Sequence, residues 1–141
     1  MYSIEDLEIL RKDPLNGIRL LVIRRYATYE REINFYCEES LYDIPENAFT
    51  NKIVEVLFSI AQENGTNDLK YGFGLSEWKF FRFKNNLCLE IKSPSRYIKN
   101  ETGTGNGKRN IANRLQEIGG RDLYCEDKDK FHSRFYFPFF L

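Results

Sequence analysis

Glycines alternate in the run Gly103-Thr104-Gly105-Asn106-Gly107-Lys108-Arg109-Asn110-Ile111, and a helix-like segment follows at once. Glycine at alternate positions leaves little side chain over the backbone. Its N–H groups, with those of a helix N-terminus, can then hold an anion such as a phosphate. A Gly-rich surface loop has the same composition, and the segment alone does not choose between the two. A second polar set lies upstream, at Glu63, Asn67 and Lys70. Residues four apart share a helix face, so a carboxylate and an amide would look into one cleft. A solvated polar helix face has the same spacing.

The elements that must position these groups are legible in outline. Residues 3 to 12 suit a short helix. Asp13-Pro14 reads as an N-cap followed by proline at the first helical position, starting a helix that runs to about Glu30. Ile18, Leu21, Val22, Arg25 and Tyr29 form its stripe. Ile33 to Cys37 suits a strand. Asp43-Ile44-Pro45-Glu46 gives a second helix start, and the helical pattern continues to about Tyr71, with Ile53, Leu57, Ile60, Ala61 and Asn64 on one face.

The remainder is strand-rich. Trp78 to Phe83 and Leu87 to Ile91 flank Lys84-Asn85-Asn86, a hairpin pattern. Ser93 to Thr102 reads as a loop. A helix over Gly107 to Ile118 ends at Gly119-Gly120. Leu123 to Cys125 and Arg134 to Phe137 close the chain as a second hairpin. This order predicts an α+β sandwich: a mixed, mostly antiparallel sheet covered on one face by helices.

Composition narrows the function. The chain has 141 residues, 42% of them hydrophobic and 16% aromatic, enough for one well-filled core. Lys plus Arg equals Asp plus Glu at 21 each, so the basic excess of a nucleic-acid binder is missing. Cys37, Cys88 and Cys125 lack metal or disulfide spacing and read as reduced thiols of a cytoplasmic protein. The single histidine, His132, falls in an aromatic strand-like run and reads as a strand residue. No apolar run reaches the roughly 18 residues that span a membrane.

Taken together, the two polar segments resemble the ATP-binding domain of the GHKL superfamily, and most of all the catalytic and ATP-binding domain of bacterial sensor histidine kinases. The resemblance covers about residues 32–141. Residues 1–31 would be a helical N-terminal segment, the end of a dimerisation region or its replacement. The family's N-box has Glu, then Asn four residues on, then Ala-x-Lys-His; Glu63, Asn67 and Lys70 match it, and Tyr71 stands at the His. Gly103 to Gly107 matches the second glycine box, and Ile111 to Gly120 fits the helix after it.

The resemblance implies a Bergerat-type fold, ATP as phosphate donor and Mg²⁺ as cofactor. Asn67 would be the magnesium ligand, and Glu63 would serve in proton transfer or in orienting the acceptor. Lys70 would meet a phosphate. Gly103, Thr104, Gly105 and Gly107 would wrap the phosphates, with Lys108 adding charge. It also implies partners: a histidine-bearing dimerisation domain, a response regulator, and a second copy of the chain.

Two departures matter. The first glycine box, normally Asp-x-Gly-x-Gly, is replaced by Ile91-Lys92-Ser93-Pro94-Ser95. The family's base-reading aspartate is therefore missing; Ser93 stands at or near its position. Exchanging a charge-assisted hydrogen bond for a neutral one weakens binding by about tenfold. Asn106 and Lys108 also replace the usual leucines. The competing expectation is a degenerate domain of the same fold, with weak or no ATP turnover, acting as a protein-interaction module.

Overall fold

The computed structural model describes residues 2–95, 106–127 and 129–138. Helix α1 (Ile4–Lys12) opens with a reciprocal capping box between Ser3 and Asp6. Helix α2 (Pro14–Thr28) is capped by Asp13, with Pro14 in its first turn. Strand β1 (Ile33–Cys37) follows, then two 3₁₀ turns (Glu39–Asp43 and Glu46–Ala48) and the long helix α3 (Asn51–Tyr71). The rest is β2 (Ser76–Phe83), β3 (Asn86–Pro94), α4 (Asn106–Glu117), β4 (Arg121–Asp127) and β5 (Lys130–Pro138).

The five strands form one sheet in the order β1-β2-β3-β5-β4. Only β1 and β2 run parallel; the other pairs are antiparallel. A parallel pair needs a crossover connection, and α3 is that crossover. The α+β architecture expected from the sequence is therefore present, with helices on one face of a mixed sheet.

The core lies between the layers. Trp78, Phe80, Leu87, Leu89, Ile91, Phe135 and Phe137 point from the sheet toward Ile53, Leu57, Ile60 and Leu115 of the helices. Each such side chain contributes about 1.5–3 kcal/mol when fully buried. Helices α1 and α2 share this core through Leu10, Ile18, Val22 and Tyr26. Tyr26 packs edge-on against Trp78 at 6.1 Å, and Phe35 stacks on the same indole.

Three local expectations need correction. Helix α3 begins at Asn51, capped by the Thr50 hydroxyl, not near Pro45. The Asp43-to-Glu46 signal instead starts a short 3₁₀ turn. On α2, the aromatic in the core is Tyr26; Tyr29 is 61% exposed because the helix has ended and Glu30 turns left-handed at φ 55°. Ser93 and Pro94 belong to β3, not to a loop, because β5 continues to pair with them. His132 is a strand residue as expected, on β5.

His132, Arg134 and Lys92 converge on Glu90. Arg134 Nε donates to Glu90 Oε2 at 2.5 Å, His132 Nε2 lies 3.1 Å from the same oxygen, and Lys92 Nζ is 3.6 Å from Oε1. Burial alone would raise the Glu90 carboxyl, but hydrogen bonds from His132 and Arg134 bring it below the usual carboxylate range. A depressed carboxyl contributes stability above its unfolded pKa, near 4.3, and loses it as pH falls through the folded value. Glu90→Gln should therefore flatten the acid limb of the stability curve. Urea midpoints at pH 6 and pH 3 would check this; parallel curves for the two proteins would refute it.

Candidate nucleotide site

The C-terminal half of α3 carries two stripes. Ile60, Ala61, Gly65 and Asp68 face the core, whereas Glu63 faces α4, with Asn67 beside it one turn on. Asn67 Nδ2 donates to Glu63 Oε1 at 3.3 Å, which orients the amide and leaves its Oδ1 as an acceptor oxygen. At the start of α4, a Cβ on Gly107 would overlap the Glu63 carboxylate. Glycine is required there by close approach, since any side chain would drive the carboxylate or the helix away.

The structure thus brings Glu63, Asn67 and Gly107 together. Lys108, the next residue, places its Nζ 4.5 Å from the ring centre of Tyr124 on β4. Burial, then the nearby Asp122, pushes the Tyr124 hydroxyl up, and Glu63 adds to the effect. Lys70 is exposed, with its Nζ over the ring of Tyr71 at 5.0 Å. Gly103, Thr104 and Gly105 lie outside the described residues.

Ser93 occupies a different environment. It is 1% exposed, and its hydroxyl donates to Asp68 Oδ1 at 2.5 Å. Tyr26 donates its hydroxyl to Asp68 Oδ2 at 2.5 Å. Arg31 Nη2 donates to Asp68 Oδ1 and to Ser93 Oγ, both at 3.1 Å. Arg31 also binds the Asp68 carbonyl at 2.8 Å and the Gly74 carbonyl at 3.0 Å. Asp68 is 2% exposed, and its carboxylate is thereby engaged by three residues, Tyr26, Arg31 and Ser93. Burial and Asp68 both raise the Tyr26 phenol, so it stays a donor. Gly72 completes the junction, because a Cβ there would run into Asp68 and the Pro94 carbonyl.

Arg31, Tyr26 and Asp68 were not among the residues the sequence singled out. One signal was available. Asp68 continues the apolar stripe of α3 by three- and four-residue steps, and a carboxylate on a buried stripe requires partners.

Helices α3 and α4 also border a groove of about 560 Å³, lined by Thr50, Lys52, Ile53 and Ile118. It lies at the end of α3 away from Glu63 and Asn67. Among the described residues, no cluster of three or more His, Cys, Asp or Glu could hold a metal.

No protein-family model matches the sequence, and no curated protein matches it. Solved structures do match. The histidine kinase domain of the blue-light activated histidine kinase of Erythrobacter litoralis EL346 superposes with a TM-score of 0.67 at 12% identity, over 89% of this chain. The catalytic domain of histidine kinase ThkA superposes at 0.63 and 12% identity, over 97% of this chain and 94% of its own length. This chain has the fold of bacterial histidine kinase catalytic domains. The Acinetobacter baumannii histidine kinase AdeS is similar as well, at 0.63 and 13% identity, over 96% of this chain and 76% of its own. The chain spans 60% of the length of the E. litoralis domain. Identities this low carry the histidine kinase fold and nothing finer.

The chemistry of the donors is consistent with a hard cation. Asn67 keeps its amide oxygen free of the Glu63 hydrogen bond and could offer it as an oxygen donor. Mg²⁺ typically takes one or two such groups and completes its shell with water and substrate phosphates.

Proposed function

We propose that this chain is the ATP-binding catalytic domain of a two-component sensor histidine kinase, passing the γ-phosphate of ATP to a histidine outside residues 1–141. The observation that carries this reading is the Glu63 carboxylate lying against Gly107 at the start of α4 while it accepts from Asn67 one turn away. When bound, Mg²⁺ would supply positive charge to offset that on the transferring phosphoryl group. Asn67 would hold it through Oδ1. Glu63 would orient the acceptor or take its proton, and Lys70 would meet a phosphate oxygen. Gly103, Thr104, Gly105, Gly107 and Lys108 would cradle the phosphates, and Ser93 would border the base. Catalysis would then rest on positioning and charge stabilisation. The histidine would come from a dimerisation domain, the phosphoryl group would go on to a response regulator, and the setting would be cytoplasmic.

A second reading is supported by the closed network at Asp68 and Ser93. With both side chains buried and hydrogen-bonded within the protein, base recognition is weakened. That favours a domain of the same fold with weak or no turnover, used as an interaction module.

Calorimetry separates them. Mg-ATP should bind at micromolar concentration, and Asn67→Ala should weaken it by about tenfold or more in magnesium buffer, with little change in EDTA. Equal affinities in magnesium would remove the metal role from Asn67. No heat up to millimolar Mg-ATP would favour the interaction module.

A further inference from the structure

Side chains of four strands line the face of the sheet turned away from the helices, with β1 adding Tyr36 at its margin. Three rows of side chains cross it in register. One row runs Tyr36, Lys79, Glu90, Arg134, Leu123; a second runs Glu77, Lys92, His132; a third runs Phe81, Cys88, Tyr136, Arg121. The whole chain is neutral, but these rows are not. Lys79, Lys92, Arg121 and Arg134 stand against Glu77 and Glu90, and Glu90 is already held by three cationic or cation-forming neighbours.

The aromatic rings on this face are capped by cations. Lys79 lies 5.6 Å from the ring centre of Tyr36 and 5.3 Å from that of Phe81. Arg121 lies 4.6 Å over Tyr136, and Lys84 lies 5.5 Å over Phe83 at the hairpin end. Tyr36 is 55% exposed at one margin and Leu123 is 48% exposed at the other. The face therefore offers positive charge in the middle and apolar contact at both sides.

We infer that the open sheet face is a docking surface for an acidic polypeptide segment carrying aromatic or aliphatic residues. Charge complementarity selects the acid: carboxylates would meet Lys79 and Arg121, whose exposed positive ends lie over aromatic rings. Tyr36 and Leu123 would take the apolar side chains. Single-stranded nucleic acid is the other polyanion to consider, but its bases need bare ring faces for stacking, and cations already lie over Phe81 and Tyr136. This inference is independent of the proposed nucleotide site, which lies on the helical side.

The test uses the full chain and a random copolymer of glutamate and tyrosine, with a dT20 oligonucleotide as comparison. Fluorescence titration at about 50 mM salt should show copolymer binding that is largely lost near 300 mM. The variant K79E/R121E should bind at least about tenfold more weakly. The variant K12E/K52E, with the same change in net charge on the helical side, should bind as the parent does. Amide NMR shifts should map to β2, β3, β4 and β5. Equal losses in both variants, shifts confined to the helices, absence of copolymer binding, or tighter binding of dT20 would each overturn the proposal. Circular dichroism melting of K79E/R121E checks its fold; if it is unfolded, the single variant R121E replaces it and should bind at least threefold more weakly.

Discussion

Arg31→Met should lower the stability of the domain by about 3–5 kcal/mol. The reason is what the substitution leaves behind. Asp68 is 2% exposed and its carboxylate accepts from Arg31, Tyr26 and Ser93. Without the guanidinium, a charge remains buried with two neutral donors, and the Asp68 and Gly74 carbonyls lose theirs. Removing both charges should be far less harmful, so R31M/D68N should recover a large part of the loss. Urea unfolding of the parent, R31M, D68N and the double variant gives the coupling energy directly. A loss below about 1 kcal/mol for R31M would mean that the pair behaves like an exposed ion pair and does not anchor the fold.

Gly107→Ala sets two effects against each other. Alanine is the better helix former by at most about 1 kcal/mol. Against that, its Cβ would overlap the Glu63 carboxylate. Overlap of that size cannot be relieved by bond-angle flexing, so Glu63 must change rotamer or the start of α4 must withdraw. Withdrawal of α4 would separate Gly107 and Lys108 from Asn67, the groups proposed to hold Mg-ATP. The expected result is a loss of Mg-ATP affinity of about tenfold or more, with the melting temperature nearly unchanged. Combining G107A with E63A removes the overlap, so the double variant should regain binding but not phosphotransfer. Unaltered affinity in G107A would show that the α4 start does not face the nucleotide.

The sequence carried most of the architecture because local signals agreed with tertiary packing there. The hairpin around Lys84-Asn85, the α4 helix with its Gly119-Gly120 end, and the closing strands appear where residue types place them. Errors arose where a local signal had two outcomes. Asp43-Ile44-Pro45-Glu46 suits the start of an α-helix or of a 3₁₀ turn, and burial of Leu41 and Ala48 selects the turn. Ser93-Pro94 looks like loop because proline cannot donate to a ladder; its partner Lys130 on β5 still holds it in register.

The candidate site divides in the same way. Glu63 and Asn67 are four residues apart, so their shared face was legible in the sequence. Arg31 is 37 residues from Asp68 and 62 from Ser93, and nothing local announces that the three meet. Their meeting depends on the crossover from β1 through α3 to β2, which is a property of the whole fold.

That crossover has a consequence for binding. Asn67 and Asp68 are consecutive residues about 100° apart around α3. One hydrogen-bonds Glu63, which lies against α4, and the other is locked among Tyr26, Arg31 and Ser93. Any roll of the helix that would swing Asn67 out of place must also tear Asp68 from its partners. The packing of α3 thus fixes the orientation of Asn67, and this helix has little freedom to lose if a ligand binds beside it.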